Sequence, residues 1–393
     1  MRFRRSFACR IGRAWWRRLI PALLALGASA CGVAASDAPG VVDAASAANV
    51  AAAAHPAASA PPAPAWVAVP RTAGRITSRE LGLVINTADP YSVEVGEFYI
   101  QARKLAPEQV LRVELPLKSA LTADEFRAFD RKVSAFFGAA TQALALAWTR
   151  PYAVECNSLT AALALGFDGE LCERTCAPPL RFSPYFNSAT TRPYTDLGLR
   201  PAMLLAAADV EGAKAMIRRG VAADFTLSQR GAPPVNAYLV ATPDRARSVR
   251  ALLFPPPGRI AQVGVNVVVE QTTALHDVDR VLLYITGAVR VDHLDTIGWV
   301  PGAIGDHLTS FGGALDGSRG QMQATAWIAS GATASYGTVS EPCSHLQKFP
   351  HPQVLLLQYA QGSSLIEAYW KSVAWPQQGI FIGEPLAAPF ARR

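Results

Sequence analysis

Leu81-Gly82-Leu83-Val84-Ile85-Asn86 is a short, largely apolar run that stops at Thr87-Ala88-Asp89-Pro90. A run of this length bounded by turn residues predicts a buried strand, and proline disfavours its continuation. Working outward, Val93 to Lys104 has helical character, and Val110-Leu111-Arg112-Val113-Glu114-Leu115 predicts a second strand. Thr122-Ala123-Asp124-Glu125 is a capping box. Phe126, Phe129, Val133 and Phe137 then line one helical face. Leu144 to Trp148 predicts a third strand, and Ser158 to Leu165 a short helix. The alternation β-α-β-α-β points to a parallel sheet covered by helices on both faces.

Residues 171–199 interrupt that rhythm with two cysteines, Pro178-Pro179 and the aromatics Tyr185, Phe186 and Tyr194. A stretch this long without periodicity reads as a stapled surface excursion. The alternation resumes with a strand at Ala202 to Ala207 and a helix from Val210 to Arg219 that Gly220 should end. Strands at 237–240, 265–269, 281–285 and 336–339 follow, with a basic helix from Arg245 to Leu253 and another from Gln321 to Ser330. Gly362 separates two closing helices, the second opened by a capping box at Ser364 and Glu367. The expectation is an α/β body of three layers with a mostly parallel sheet, built as two similar halves, 78–170 and 200–390, joined by the loop 171–199.

The chain has 393 residues, 50% of them hydrophobic and only 17% charged, which excludes a disordered polyelectrolyte and a coiled coil. Its formal charge of +7 would suit a nucleic-acid or membrane-surface partner. However, residues 1–30 hold seven arginines and no acid: Arg2, Arg4, Arg5, Arg10, Arg13, Arg17 and Arg18. Without them the basic and acidic residues balance, so no nucleic-acid partner is expected. Those arginines precede the apolar run 19–26 and the small residues Gly27 to Ala30, the layout of an export signal at 1–30. Cys31 after Ala28-Ser29-Ala30 resembles a bacterial lipobox, whose cysteine becomes the lipidated N-terminus; the alternative is ordinary cleavage after Ala30. Residues 31–65 are rich in Ala and Pro and lack the large apolar residues that anchor a core, so they read as a flexible tether before a body at 66–393. The address expected is the periplasm or outer membrane as a lipoprotein, or secretion, with membrane contact only through a lipid at Cys31.

Four cysteines lie in the body: Cys156, Cys172, Cys176 and Cys343. In an exported protein an even count favours two disulfides, with three pairings open and Cys343 tying the back of the chain to the front. Zinc is the rival, but the one close pair, C-x3-C, lacks a matching second pair. No G-x-S-x-G, phosphate-binding G-x-x-x-x-G-K or H-E-x-x-H is present, and no cofactor is expected.

Five of the six histidines, His276, His293, His307, His345 and His351, fall between residues 276 and 351. Two sit in a near-repeat, Asp292-His293-Leu294-Asp295-Thr296-Ile297-Gly298 against Asp306-His307-Leu308-Thr309-Ser310-Phe311-Gly312. Strand ends of open α/β sheets carry sites, and imidazole with carboxylate serves metal binding or acid–base catalysis. No known metal-ligand spacing is matched. The simpler reading has Asp306 capping the following helix and His307 as a packed or solvated histidine.

Asp89-Pro90-Tyr91-Ser92 leading to Tyr99-Ile100-Gln101-Ala102-Arg103, Pro301 through Gly313, Glu341-Pro342-Cys343 with Lys348-Phe349-Pro350, and Glu367 through Val373 to Gly383-Glu384-Pro385-Leu386 together carry a resemblance. They resemble an uncharacterised family of exported bacterial proteins found in genomes that carry the exosortase protein-sorting system. More distantly, the strand order resembles the caspase-like fold of gingipain-type cysteine peptidases. That resemblance implies a His-Gly at the end of one strand and a nucleophilic Cys at the end of the next. The corresponding places here are Thr286-Gly287-Ala288 and Asp306-His307-Leu308-Thr309, and neither the His nor the Cys is present.

Two readings follow. One is a binding or accessory protein linked to export or sorting at the envelope, with other envelope proteins or an exported peptide as partner. The other is a peptidase-like hydrolase using Asp306 and His307, with Thr309 or Ser310 as nucleophile or substrate contact and His293 as partner. The second requires these side chains to converge in one pocket.

Overall fold

Leu81–Asn86 (β1) is buried along its whole length, and Asp89 caps the helix that follows, Pro90–Arg103 (α1), by accepting from the Tyr91 amide. The computed structural model describes residues 70–392 apart from Ser318. The export signal, Cys31 and the tether lie outside the described residues, and Ala65–Arg393 forms one unit. From β1 and α1 the chain runs through β2 (Val110–Val113), β3 (Ala120–Leu121), α2 (Ala123–Phe136), β4 (Ala143–Leu146), β5 (Ala153–Val154), β6 (Asn157–Ser158) and α3 (Leu159–Leu165). The excursion holds two short helices, α4 (Glu170–Glu173) and α5 (Pro193–Leu197), before β7 (Ala202–Leu204), α6 (Val210–Ala223) and β8 (Val235–Ala241). A 3-10 segment at Ser248–Leu253 leads to β9 (Gly258–Ile260), β10 (Val265–Gln271), β11 (Val278–Gly287) and β12 (Ile297–Leu308). Last come α7 (Thr325–Ser330), β13 (Ala334–Thr338), α8 (Pro352–Ala360), α9 (Leu365–Trp370) and β14 (Gly379–Gly383).

Eleven strands make one sheet in the order β2-β1-β4-β7-β14-β13-β12-β11-β8-β10-β9. The neighbours β2-β1-β4-β7 are parallel, as are β13-β12-β11-β8-β10. Only β9, at the edge, and β14, against β13, pair antiparallel. In each group the first strand in sequence lies inside and the next parallel strand goes to its outer side; two further strands, β4 and β7, then build inward in the first group, and three, β11, β12 and β13, in the second. The two groups share that winding, and β14, supplied by the end of the chain, fills the seam between them. The excursion 171–199 lies inside the first group, because β7 beyond it pairs with β4; the chain passes from one group to the other after α6 instead.

Helices cover both faces. Successive side chains on a strand point to opposite sides, and on β12 Asp306 meets Arg250 of the 3-10 segment while His307 meets Trp327 of α7. Both expected capping boxes are present, Thr122 with Glu125 and Ser364 with Glu367. The basic segment expected as a helix at 245–253 is the shorter 3-10 turn. Gly220 does not end α6, which continues to Ala223. There a Cβ would lie 2.4 Å from the Glu384 carboxylate, so the glycine permits close approach of helix and sheet. Glu384 is buried and gathers the Tyr99 hydroxyl and the Arg103 guanidinium, which also bridges to Asp224, tying α1 and α6 to the strand β14.

The cysteines form two disulfides, Cys156–Cys172 and Cys176–Cys343. The second crosses 167 residues of sequence and joins the excursion to the segment after β13, as the front-to-back tie required.

Candidate functional site

In a doubly wound sheet the crevice forms where the strand order reverses, at the carboxyl ends of the strands. In the second group that point lies between β8 and β11, with the end of β12 alongside. The register pairs Thr286 with His307 and Gly287 with Leu308, so the two strand ends singled out from the sequence are neighbours. What fills the crevice is the chain itself. A Cβ on Gly287 would lie 1.9 Å from the Arg247 carbonyl oxygen, so the backbone leaving β8 rests directly on that glycine. The Thr242 hydroxyl donates to the Gly287 carbonyl at 2.6 Å, and the Ser248 hydroxyl accepts from the Thr242 amide at 2.9 Å, closing the turn over it.

Asp306 does not cap a helix: it lies within β12, fully buried, and forms an ion pair with buried Arg250 at 2.5 Å. The same guanidinium donates to the Thr286 carbonyl at 2.8 Å and lies over the Phe349 ring. Burial pushes the Asp306 carboxyl above its ordinary pKa, and the Arg250 charge draws it back down. The carboxylate is thus engaged by one cation away from solvent.

His307, on the opposite face, is equally enclosed. The Trp327 indole N–H donates to Nδ1 at 2.9 Å, and Nε2 lies 3.0 Å from the Met322 carbonyl oxygen. An indole only donates and a carbonyl only accepts, so the partners fix the neutral Nε2–H tautomer. Burial holds the pKa down to about 4, against a smaller rise from the Met322 carbonyl and a further lowering by Arg250. A ring with both nitrogens occupied and no solvent contact has no site for a substrate proton.

The Thr309 hydroxyl, also buried, donates to Gln321 Oε1 at 2.6 Å and accepts from Arg247 Nε at 3.3 Å. Ser310 is half-buried, and its carbonyl accepts from the Thr338 hydroxyl. His293 is exposed, in a left-handed turn at the opposite end of β12 from His307, its ring 5.9 Å from that of His276. The structure therefore brings Thr309 and Ser310 together at the strand end, places Asp306 and His307 back to back, and leaves His293 apart. The near-repeat is one of letters only: the first copy is a turn that enters β12, and the second is the end of β12 and the turn that leaves it. Cys343 is bridged to Cys176, so Cys343 and His345 do not form a thiol–imidazole pair. Among the described residues, no group of three or more His, Cys, Asp or Glu is placed to hold a metal ion.

Sequence reasoning missed Arg250, Arg247, Gln321 and Trp327, which decide what the strand ends can do. Arginines in a basic amphipathic segment read as solvent-facing, yet Arg250 is buried. Beside Gln321 an open depression of about 360 Å³ remains, with Arg290, Gln323 and Thr325 on its polar rim. Arg290 is exposed there.

No protein-family model, curated protein or solved structure matches the chain. The two disulfides suit an oxidising compartment outside the cytosol. Among the described residues, no helix is long and apolar enough to cross a membrane.

Proposed function

We propose that this is an exported, non-hydrolytic binding or accessory protein, acting in export or sorting at the cell envelope and recognising another envelope protein or an exported peptide. One observation carries the reading: the Asp306 carboxylate, the His307 imidazole and the Thr309 hydroxyl are each engaged by a neighbour, and His293 lies apart from them. Asp306 pairs with Arg250, His307 lies between Trp327 and Met322, and Thr309 is held by Gln321 and Arg247. The crevice between β8 and β11 is occupied by the Arg247–Ser248 backbone. A caspase-like scaffold without its His-Gly/Cys dyad is the form of this reading that the shared winding favours. The depression beside Gln321, with its exposed Arg290, is the surface we assign to recognition.

The test is turnover of fluorogenic peptide, ester, glycoside and phosphate substrates between pH 5 and 8, alongside His307→Gln and Thr309→Val. The reading expects all three proteins to match the buffer blank. Turnover by the native protein that either substitution abolishes, with an unchanged circular dichroism spectrum, would overturn it.

A further inference from the structure

The two disulfides sit in unlike surroundings. Cys156–Cys172 closes a short loop between two half-buried cysteines. The amide of buried Asn157 donates to Cys156 Sγ at 3.3 Å and lies 3.9 Å from Cys172 Sγ. That amide group also exchanges hydrogen bonds with both backbone groups of Asp168. This bridge is enclosed by a fixed polar frame.

Cys176 is exposed, at the surface of the excursion, and its partner Cys343 is half-buried. Cys343 and Ser344 are consecutive non-glycine residues in the left-handed region, at φ 59° and 54°. L-residues enter that region singly and at a cost, and such strain concentrates at functional positions. Besides the bridge, this turn is pinned by the Cys343 amide donating to the Glu341 carboxylate at 2.8 Å. Two polar contacts would survive opening: Lys348 Nζ donating to the Thr175 carbonyl at 2.6 Å, and His345 Nε2 at 2.9 Å from the Cys176 carbonyl. The excursion would thus remain docked by hydrogen bonds after the covalent tie is cut, and the fold has no need to open for the bridge to react.

We propose that Cys176–Cys343 is a thiol–disulfide exchange site that reacts in the folded protein with thiols of other molecules, whereas Cys156–Cys172 is structural. An incoming thiolate attacks the sulfur of Cys176, the exposed residue of the pair, forming a mixed disulfide and breaking the bond to Cys343, whose sulfur leaves as a thiolate and takes a proton from solvent. A second thiol attacks the mixed disulfide and releases the Cys176 thiol. In sum, two thiols are oxidised to one disulfide, and the protein bridge is reduced by two electrons. In the reverse direction the reduced pair accepts a disulfide and yields two thiols. Opening also releases the two left-handed backbone positions.

The test uses the intact protein with reduced glutathione as probe. Aliquots are quenched by alkylation, and each cysteine is assigned by peptide mass, while tryptophan fluorescence reports the fold. The expected result is opening of Cys176–Cys343 at least tenfold faster than Cys156–Cys172, with native fluorescence retained. Equal rates, a faster Cys156–Cys172, or opening only in step with loss of native fluorescence would overturn the proposal. Cys343→Ser, incubated with oxidised glutathione, should carry glutathione on Cys176. If instead Cys343 of Cys176→Ser is the faster to be glutathionylated, the assigned point of attack is wrong.

Discussion

Replacing Arg250 by Met removes the one cation that, among the described residues, forms an ion pair with Asp306, and the consequence can be worked out from burial. Asp306 has no solvent exposure, and among the described residues its carboxylate makes no hydrogen bond beyond the contact with Arg250. An unpaired carboxylate there takes up a proton. Holding a carboxyl whose unfolded pKa is about 3.9 protonated in the fold costs at most about 4 kcal/mol at pH 7, from 1.36 kcal/mol per pH unit, less the cost already carried by the paired carboxyl of the native protein for its burial-raised pKa. That agrees with the roughly 3–5 kcal/mol measured when one partner of a buried pair is removed. The sign follows from linkage. In the variant, the folded carboxyl is protonated and the unfolded one is ionised, so the penalty grows as pH rises above about 4. At pH 5 it falls to roughly 1.5 kcal/mol. Arg250→Met with Asp306→Leu removes both charges and should recover most of the loss, since an apolar replacement of a buried pair is often neutral or stabilising. The assay is guanidinium unfolding followed by tryptophan fluorescence at pH 5 and 7 without reductant. A loss below about 1 kcal/mol at pH 7, a loss independent of pH, or a double variant as unstable as the single one would refute the reasoning.

Three further outcomes are expected. The folded pKa of His307 is depressed to about 4. Stability is then fully present above the unfolded value of about 6.5 and declines by ~3 kcal/mol as pH falls to 4, a decline that His307→Gln should lack in parallel unfolding curves. Gly220→Ala separates two effects: helix propensity alone would stabilise by about 1 kcal/mol, but the Cβ collides with Glu384, so a loss of roughly 1–3 kcal/mol is expected in the melting curve. Replacing Cys156 and Cys172 together by Ala opens a loop of 16 residues and should cost about 3 kcal/mol by chain entropy, read as a lower unfolding midpoint.

What the sequence disclosed was local. The run at 81–86 could be read because it is apolar and bounded by turn residues, and the boxes at Thr122 and Ser364 because their partners are three residues away. Strand β12 was hidden by Pro301, by its glycines and by Asp306-His307, which look like a polar loop although they lie in the core. Strand β14 was hidden by its five-residue length and its flanking glycines, though it occupies the seam of the sheet. The site was harder still. Asp306 and His307 stand out in the sequence, but their surroundings are set by Arg250 and Trp327. Those partners arrive from other elements, and no periodicity reports them. A buried Arg in a basic segment looks like any solvent-facing one until the sheet is assembled around it.

The central claim is that the strand-end imidazole is locked and unavailable for proton transfer. It is tested most directly by nitrogen-15 NMR of labelled histidine in the folded protein, with His307→Gln used to assign the signal, titrated from pH 8 to 4. The His307 signals should remain those of a neutral Nε2–H ring down to about pH 4. Protonation of His307 near pH 6.5, or a ring proton on Nδ1, would contradict it.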